Sequence, residues 1–277
     1  MMKIPTLSLN DGHVLPSAGL GTYGLRGEEG VASVVSGIEA GYRLLDTALN
    51  YENEREVGTA IRESSIPRSE IVLTTKLPGR DHGYDETLAS FEESRANLGL
   101  DYIDLYLIHW PLPKVDKYLD SWRAMIRLRE EGLVRSIGVS NFTQEHLTRL
   151  IGETGVAPVV NQIELHPRFT QVGMRDFHAN HEIATQSWSP LGAKQEIAAD
   201  PAIVAIADEH GVTPTQAVLR WHVQLGAVPI PKSGNPLRQK ENIDVFGFEL
   251  TEKEIAAISA LESGRLWDGD PNTHEEF

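Results

Sequence analysis

The chain has 277 residues, no cysteine, and 40 acidic against 25 basic residues, for a formal net charge of −15. Disulfides and thiolate metal sites are excluded, and nucleic acid or an anionic membrane surface is disfavoured as a main partner. The start, Met1-Met2-Lys3-Ile4-Pro5, carries no apolar stretch of signal-peptide type, and no run approaches the ~18 apolar residues of a membrane span, so a cytoplasmic protein is expected.

The predicted elements begin with a hairpin. Leu7 and Leu9 alternate with polar residues, Asp11-Gly12 supplies the turn, and Val14 starts the return strand. A first short strand is expected over residues 18–21. Val31, Val34, Val35 and Ile38 then fall at i, i+3, i+4 and i+7, the spacing of one helix face. Apolar runs follow at 43–45, 71–73, 103–108, 136–139, 159–163, 183–188 and 227–230, and Leu119, Trp122, Met125 and Ile126 repeat the helical spacing between two of them. Continuous apolar runs suit strands covered on both faces, and their alternation with helices implies a parallel sheet. Eight strands, no Pro/Ser-rich linker and a length near ~250 residues predict an α/β protein of one domain, residues 1–277, built as a (β/α)8 TIM barrel with an N-terminal β-hairpin. The strand count alone leaves an open doubly wound sheet as the alternative.

Gly19, Gly21 and Gly24 spell G-x-G-x-x-G, with Asp46 roughly 20 residues on, as in a dinucleotide-binding fingerprint. Two features count against that reading. Residues 25–30 delay the helix that the third glycine should open, and Pro16 weakens the preceding run as a central strand.

A polar residue closes most of the buried runs. Asp46 follows Leu44-Leu45, Lys76 follows Leu73-Thr74-Thr75, His109 follows Ile108, and Ser140-Asn141 follows Val139. Gln162 lies within 160–163, Trp188 ends 183–188, and Lys232 follows Ile230-Pro231. In a barrel these ends meet at the one face that carries the chemistry. Singly, each has an ordinary explanation. Asp46 and Lys76 could form a structural ion pair, His109 could be a satisfied core histidine, and Tyr51 could be a loop residue before a helix starting at Glu52.

The stretches 41–51 (GYRLLDTALNY), 71–77 (IVLTTKL), 101–111 (DYIDLYLIHWP), 136–142 (SIGVSNF), 160–167 (VNQIELHP) and 230–242 (IPKSGNPLRQKEN) resemble, in order, the aldo-keto reductase family, from residue 7 to about residue 261. The phrase Gln186-Ser187-Trp188-Ser189-Pro190-Leu191-Gly192 is similar to that of the bacterial 2,5-diketo-D-gluconate reductases, since many relatives have tyrosine where Trp188 stands.

The resemblance implies an NADPH cofactor, a small-molecule carbonyl substrate and a catalytic tetrad of Asp46, Tyr51, Lys76 and His109. It implies that Ser140, Asn141 and Gln162 hold the nicotinamide amide and that Trp188 stacks on the ring. Gly21 and Thr22 join the cofactor site, and Ser189, Pro190, Leu191 and Gly192 line the pyrophosphate. Lys232, Ser233, Gly234, Asn235 and Arg238 would surround the adenosine 2′-phosphate, with Glu241 and Asn242 at the adenine. Tyr23, Asn50, His109, Trp110 and Trp267 would meet the substrate. The family also implies a monomer, no metal and a C-terminal substrate loop. Two departures stand out: Pro78 replaces a frequent tryptophan, and Gly234-Asn235 replaces a bulkier or basic pair.

The chemistry implied is reduction of aldehydes, ketones, dicarbonyls or keto-sugars to alcohols, with hydride from the cofactor and a proton from Tyr51. A phenol has an ordinary pKa of ~10, so the Lys76 cation is expected to pull it down while Asp46 keeps Lys76 charged. His109 would orient the carbonyl oxygen. The helix after Pro236 is expected to offer free N–H groups to the phosphate, with Arg238 forking onto it. A metal-dependent barrel hydrolase is one rival, although the histidines lack an H-x-x-x-H set with a carboxylate. A cofactor-sensing regulatory subunit with little turnover is another.

Overall fold

The structure, a computed structural model, describes residues 4–192 and 197–276. The expected hairpin forms: β1 (Thr6–Ser8) and β2 (Val14–Pro16) pair antiparallel, with Leu7 opposite Leu15. Gly12 makes the turn at φ +88°, where a Cβ is disfavoured. Leu9 and Leu15 are buried against Leu44, Leu105, Leu107, Val160, Val228 and Ile230, so the hairpin closes one end of the interior formed by the next strands.

Among the described residues, eight strands follow: β3 (Leu20–Gly21), β4 (Leu44–Asp46), β5 (Val72–Leu77), β6 (Ile103–Ile108), β7 (Val134–Ser140), β8 (Val160–Glu164), β9 (Ala184–Trp188) and β10 (Ala227–Pro229). Each pairs in parallel with the next in the chain. The sheet then closes on itself. Gly19 N donates to Pro229 O at 3.0 Å, Gly21 N donates to Pro231 O at 3.0 Å, and Gly21 bridges Lys232. An open doubly wound sheet is therefore ruled out.

Closure accounts for the first two of the glycines that imitate a nucleotide fingerprint, Gly19 and Gly21. A Cβ on Gly19 would lie 2.6 Å from Ile230 Cδ1 and 2.8 Å from Leu44 Cγ, so this position serves the approach of β3 to its neighbours. The first helix, α1 (Gly27–Ala40), starts inside the stretch expected to delay it, with Glu28 and Glu29 in its first turn.

Around the barrel stand α1, α2 (Glu54–Glu63), α3 (Tyr84–Leu98), α4 (Tyr118–Glu130), α5 (Gln144–Thr154) and α6 (Val172–Asn180). Next come α7 (Pro201–His210), α8 (Pro214–Gln224), α9 (Pro236–Ile243) and α10 (Glu252–Ser259); α7 and α10 pack on α8 outside the ring. Val34 and Ile38 of α1, Phe91 of α3, and Trp122 and Met125 of α4 share an outer core with Leu45, Leu73, Tyr106, Ile108 and Ile137. Each such fully buried side chain contributes ~1.5–3 kcal/mol relative to exposure. Among the described residues, no helix is long and apolar enough to cross a membrane.

Candidate active site

Strand periodicity places the polar groups. Leu105 and Leu107 belong to the inner core, whereas Tyr106 and Ile108 belong to the outer one. Successive side chains point to opposite faces. The same alternation carries Asp46 inward after Leu44, Gln162 after Val160 and His109 after Leu107, all towards the C-terminal mouth.

Lys76 is fully buried at the centre of this group. Its Nζ lies 2.6 Å from Asp46 Oδ1, 2.9 Å from Thr47 O and 3.3 Å from Tyr51 OH. Asp46 Oδ2 also accepts from Gln162 Nε2 at 2.7 Å. Burial works against a charged Lys76, but Asp46 and then Tyr51 outweigh it and hold the amine above its usual value. Tyr51 departs from expectation. Enclosure of its hydroxyl raises the phenol above 10, and Lys76, the largest opposing influence, only reduces that rise. The residue also does not lead directly into a helix. It ends the 3-10 turn Leu49–Tyr51, Glu52 takes a left-handed φ of 54°, and α2 begins at Glu54.

A cavity of about 760 Å³ opens over this cluster. Its wall includes Tyr51, His109, Ser140, Asn141, Gln162 and Trp188. Of the other expected residues, Gly21, Thr22, Tyr23, Asp46, Trp110, Trp267 and Lys232 line it too, with Ser189 to Gly192. Trp188 Nε1 donates to Asn141 Oδ1 at 2.7 Å, and Asn141 Nδ2 donates to His109 O at 3.0 Å, so the indole is fixed at the cavity edge. Asn141 and Ser189 hold left-handed φ values of 63° and 47°. Such backbone outliers cluster at functional sites.

Lys76 stands behind the wall, and Asn50 is drawn away from the cavity: its side chain accepts from Arg80 and donates to Glu276 at 2.8 Å. Pro78 is likewise absent from the lining, and the next residue, Gly79, donates its N–H to Glu276 Oε2 of the C-terminal segment at 3.1 Å. Ser233, Gly234, Asn235, Arg238, Glu241 and Asn242 run on from Lys232 into α9, beyond the cavity. Arg238 does sit in the first turn. The expected free N–H groups are not free, however: Asn235 Oδ1 caps Leu237 N at 2.9 Å and Arg238 N at 3.2 Å. Glu241 Oε1 accepts from Thr213 Oγ1 at 2.7 Å.

Several further groups at this site carry no role in the motifs above. Gln186 accepts from Gln162 at 3.0 Å, and extending the period-two alternation along β9 would have found it. Glu164, two residues past Gln162, would have been found in the same way. It is buried, and it receives Leu266 N at 2.7 Å, Trp267 N at 3.3 Å and Arg265 Nη1 at 3.3 Å, tying the C-terminal segment to the barrel. Nothing in the local sequence marks Asp268, Gly269 and His274 in the cavity wall, or Glu276 against His109. Among the described residues, no group of three or more His, Cys, Asp or Glu side chains could hold a metal ion.

A closed eight-stranded barrel with a buried Asp–Lys pair beside a tyrosine and a histidine defines a class, and comparison with known proteins gives the same one. The Aldo/keto reductase family model matches residues 19–263, and the chain belongs to that family of NADP-dependent oxidoreductases. It is 60% identical over 277 residues, all of both chains, to the 2,5-diketo-D-gluconic acid reductase B of Corynebacterium sp. (strain SHS752001). A solved aldo/keto reductase from Brucella melitensis matches with a TM-score of 0.91 at 50% identity, covering 94% of this chain and 100% of that one. A variant of Gox0644 in complex with NADPH matches with a TM-score of 0.94 at 45% identity, covering 99% and 100%.

Proposed function

We propose that this chain reduces aldehydes, ketones, dicarbonyls or keto-sugars to alcohols with NADPH, using Tyr51 as the proton donor. One observation carries the reading: buried Lys76 bridges Asp46 Oδ1 at 2.6 Å and Tyr51 OH at 3.3 Å, behind a cavity that His109, Gln162 and Trp188 also line. NADPH, when bound, supplies the hydride.

The residues present fit that cofactor. Trp188 offers a flat ring pinned by Asn141. Lys232 and Arg238 are exposed cations with no ion-pair partner among the described residues, on a chain of net charge −15, which suits a phosphate. The NADPH in the Gox0644 variant structure supports the same choice.

Tyr51 gives its proton to the carbonyl oxygen as the alkoxide forms. Lys76 stabilises the tyrosinate left behind, and Asp46 keeps Lys76 charged and in place. His109 donates to the same oxygen and fixes its position. The aromatic side chains of Tyr23, Trp110 and Trp267 narrow the cavity around the substrate. The Corynebacterium relative supports a keto-sugar acid such as 2,5-diketo-D-gluconate among the substrates.

The test is NADPH oxidation with methylglyoxal, phenylglyoxal, a keto-sugar acid and a simple aldehyde, for wild type and Tyr51→Phe. Turnover is expected in wild type and absent from the variant, with NADPH binding intact in both. A Tyr51→Phe enzyme that keeps more than a small residue of turnover refutes Tyr51 as the acid. NADPH binding without turnover on any carbonyl would favour the cofactor-sensing alternative.

A further inference from the structure

The C-terminal segment ends on the histidine of the catalytic face. His274 packs on Trp110 with ring centroids 4.0 Å apart, and Glu275 pairs with Lys114 at 2.9 Å. Glu276 then turns inward, its side chain only 13% exposed. Three groups converge on its two carboxylate oxygens. Asn50 Nδ2 donates to Oε1 at 2.8 Å, Gly79 N donates to Oε2 at 3.1 Å, and His109 Nδ1 lies 2.6 Å from Oε1. Burial alone would raise this carboxyl, but His109, Asn50 and the Gly79 N–H together hold it below the usual range. The backbone is fitted to the same contact: a Cβ on Gly79 would lie 2.3 Å from Glu276 O.

An ionised carboxylate only accepts hydrogen bonds. A bare ring nitrogen would present a lone pair to Oε1, and two lone pairs do not approach to 2.6 Å. The contact therefore requires a proton on Nδ1, although its N–H is not aligned with Oε1 or with any other acceptor among the described residues. With Nδ1 turned to the tail, Nε2 is the ring nitrogen left for a carbonyl oxygen. To donate there, Nε2 needs a proton of its own.

We infer that Glu276 is a positioning residue for carbonyl reduction: it holds His109 in the Nδ1-protonated form and sets the plane of the ring against the bound carbonyl. This rests on the carbonyl-reductase reading above. Glutamine cannot replace Glu276. Its amide has one accepting oxygen, so its NH2 group must face either the Gly79 N–H or the pair formed by Asn50 and His109.

The experiment uses the full chain labelled with 15N-histidine, in wild type, Glu276→Gln and Glu276→Ala, with and without NADPH. His109→Asn identifies the His109 ring signals. Wild type is expected to show a protonated Nδ1 at neutral pH, and both Glu276 variants a shift of His109 towards the Nε2–H form. The kcat for methylglyoxal, a small dicarbonyl, is expected to fall about 10-fold or more in Glu276→Ala, the effect of losing an interaction with a charged group. NADPH affinity should be unchanged. If the tail is only a wall, larger substrates gain KM while the His109 signals and the methylglyoxal kcat stay at wild-type values, and the inference is overturned. Full turnover by His109→Asn overturns it by another route and marks the fault as lying in the underlying reading, since no ring would then need positioning.

Discussion

Replacing Lys76 by methionine removes the cation and keeps most of the stem. In wild type the buried Nζ serves Asp46 Oδ1, Thr47 O and Tyr51 OH at once. Without it, Asp46, whose side chain is 5% exposed, keeps only Gln162 Nε2 at 2.7 Å as a donor from the cluster. Stranding one charge of a buried pair costs ~3–5 kcal/mol, a large part of the ~5–15 kcal/mol that stabilises a domain. At ~2–4 °C per kcal/mol, Tm should fall by about 6–20 °C. Adding Asp46→Asn removes the stranded charge, so the double variant should regain much of the loss and remain inactive. Calorimetry on the four proteins of this cycle, beside NADPH oxidation, gives both readouts. Lys76→Met melting with wild type, or a double variant no more stable than the single, would refute the argument. The functional sign is also fixed. Burial already raises the Tyr51 phenol and Lys76 opposes it, so the alkaline limb of alcohol oxidation should move to higher pH in any Lys76→Met activity that survives.

Trp188→Ala should weaken NADPH and NADH alike, by several-fold, because ring contacts contribute ~0.5–1.5 kcal/mol beyond buried area and do not involve the 2′-phosphate; equal affinity in mutant and wild type by fluorescence titration would contradict this. Arg238→Ala should weaken NADPH by roughly 10–150-fold, the equivalent of ~1.5–3 kcal/mol, and NADH much less. Equal loss for both cofactors would remove Arg238 from the phosphate. Stability should drop on acidification, because burial pushes His82 down to about 4 and His178 and His222 down to about 3. Unfolded, each takes up a proton near ~6.5, so their contribution is complete above that pH and is lost as pH falls towards the folded values, at up to ~1.4 kcal/mol per pH unit for each group. Urea unfolding at pH 7 and pH 5 checks this, and unchanged free energies would count against it.

The barrel was legible because its strands are apolar on both faces and its helices keep a clean 3.6-residue period, as at Val31 to Ile38. Asp46, Lys76, His109 and Gln162 were legible as polar residues ending apolar runs, where a solvated side chain has no reason to recur. Start points were less legible. Gly27 opens α1 early because glycine reaches φ +64° without strain, and Tyr51 ends a 3-10 turn because Glu52 turns left-handed before α2. Propensity does not encode either turn. The net direction at Tyr51 was hidden for another reason: a neighbouring cation can be read from sequence, but the depth of enclosure that outweighs it cannot. Glu276 and Gly79 meet across most of the chain, and no local pattern records such a contact.

The seam between β3 and β10 has a consequence for how the chain reaches this state. The first barrel strand is joined to the last by main-chain bonds from Gly19 and Gly21 to Pro229 and Pro231. During synthesis β3 therefore exposes an unpaired edge until almost the whole polypeptide has emerged. Contacts so distant in sequence form slowly, and an open edge of this kind is where chains stick to one another. Nascent fragments that stop short of Ala227–Pro229 should accordingly depend on holdases and aggregate when released, while the finished barrel, with that edge sewn shut, should not.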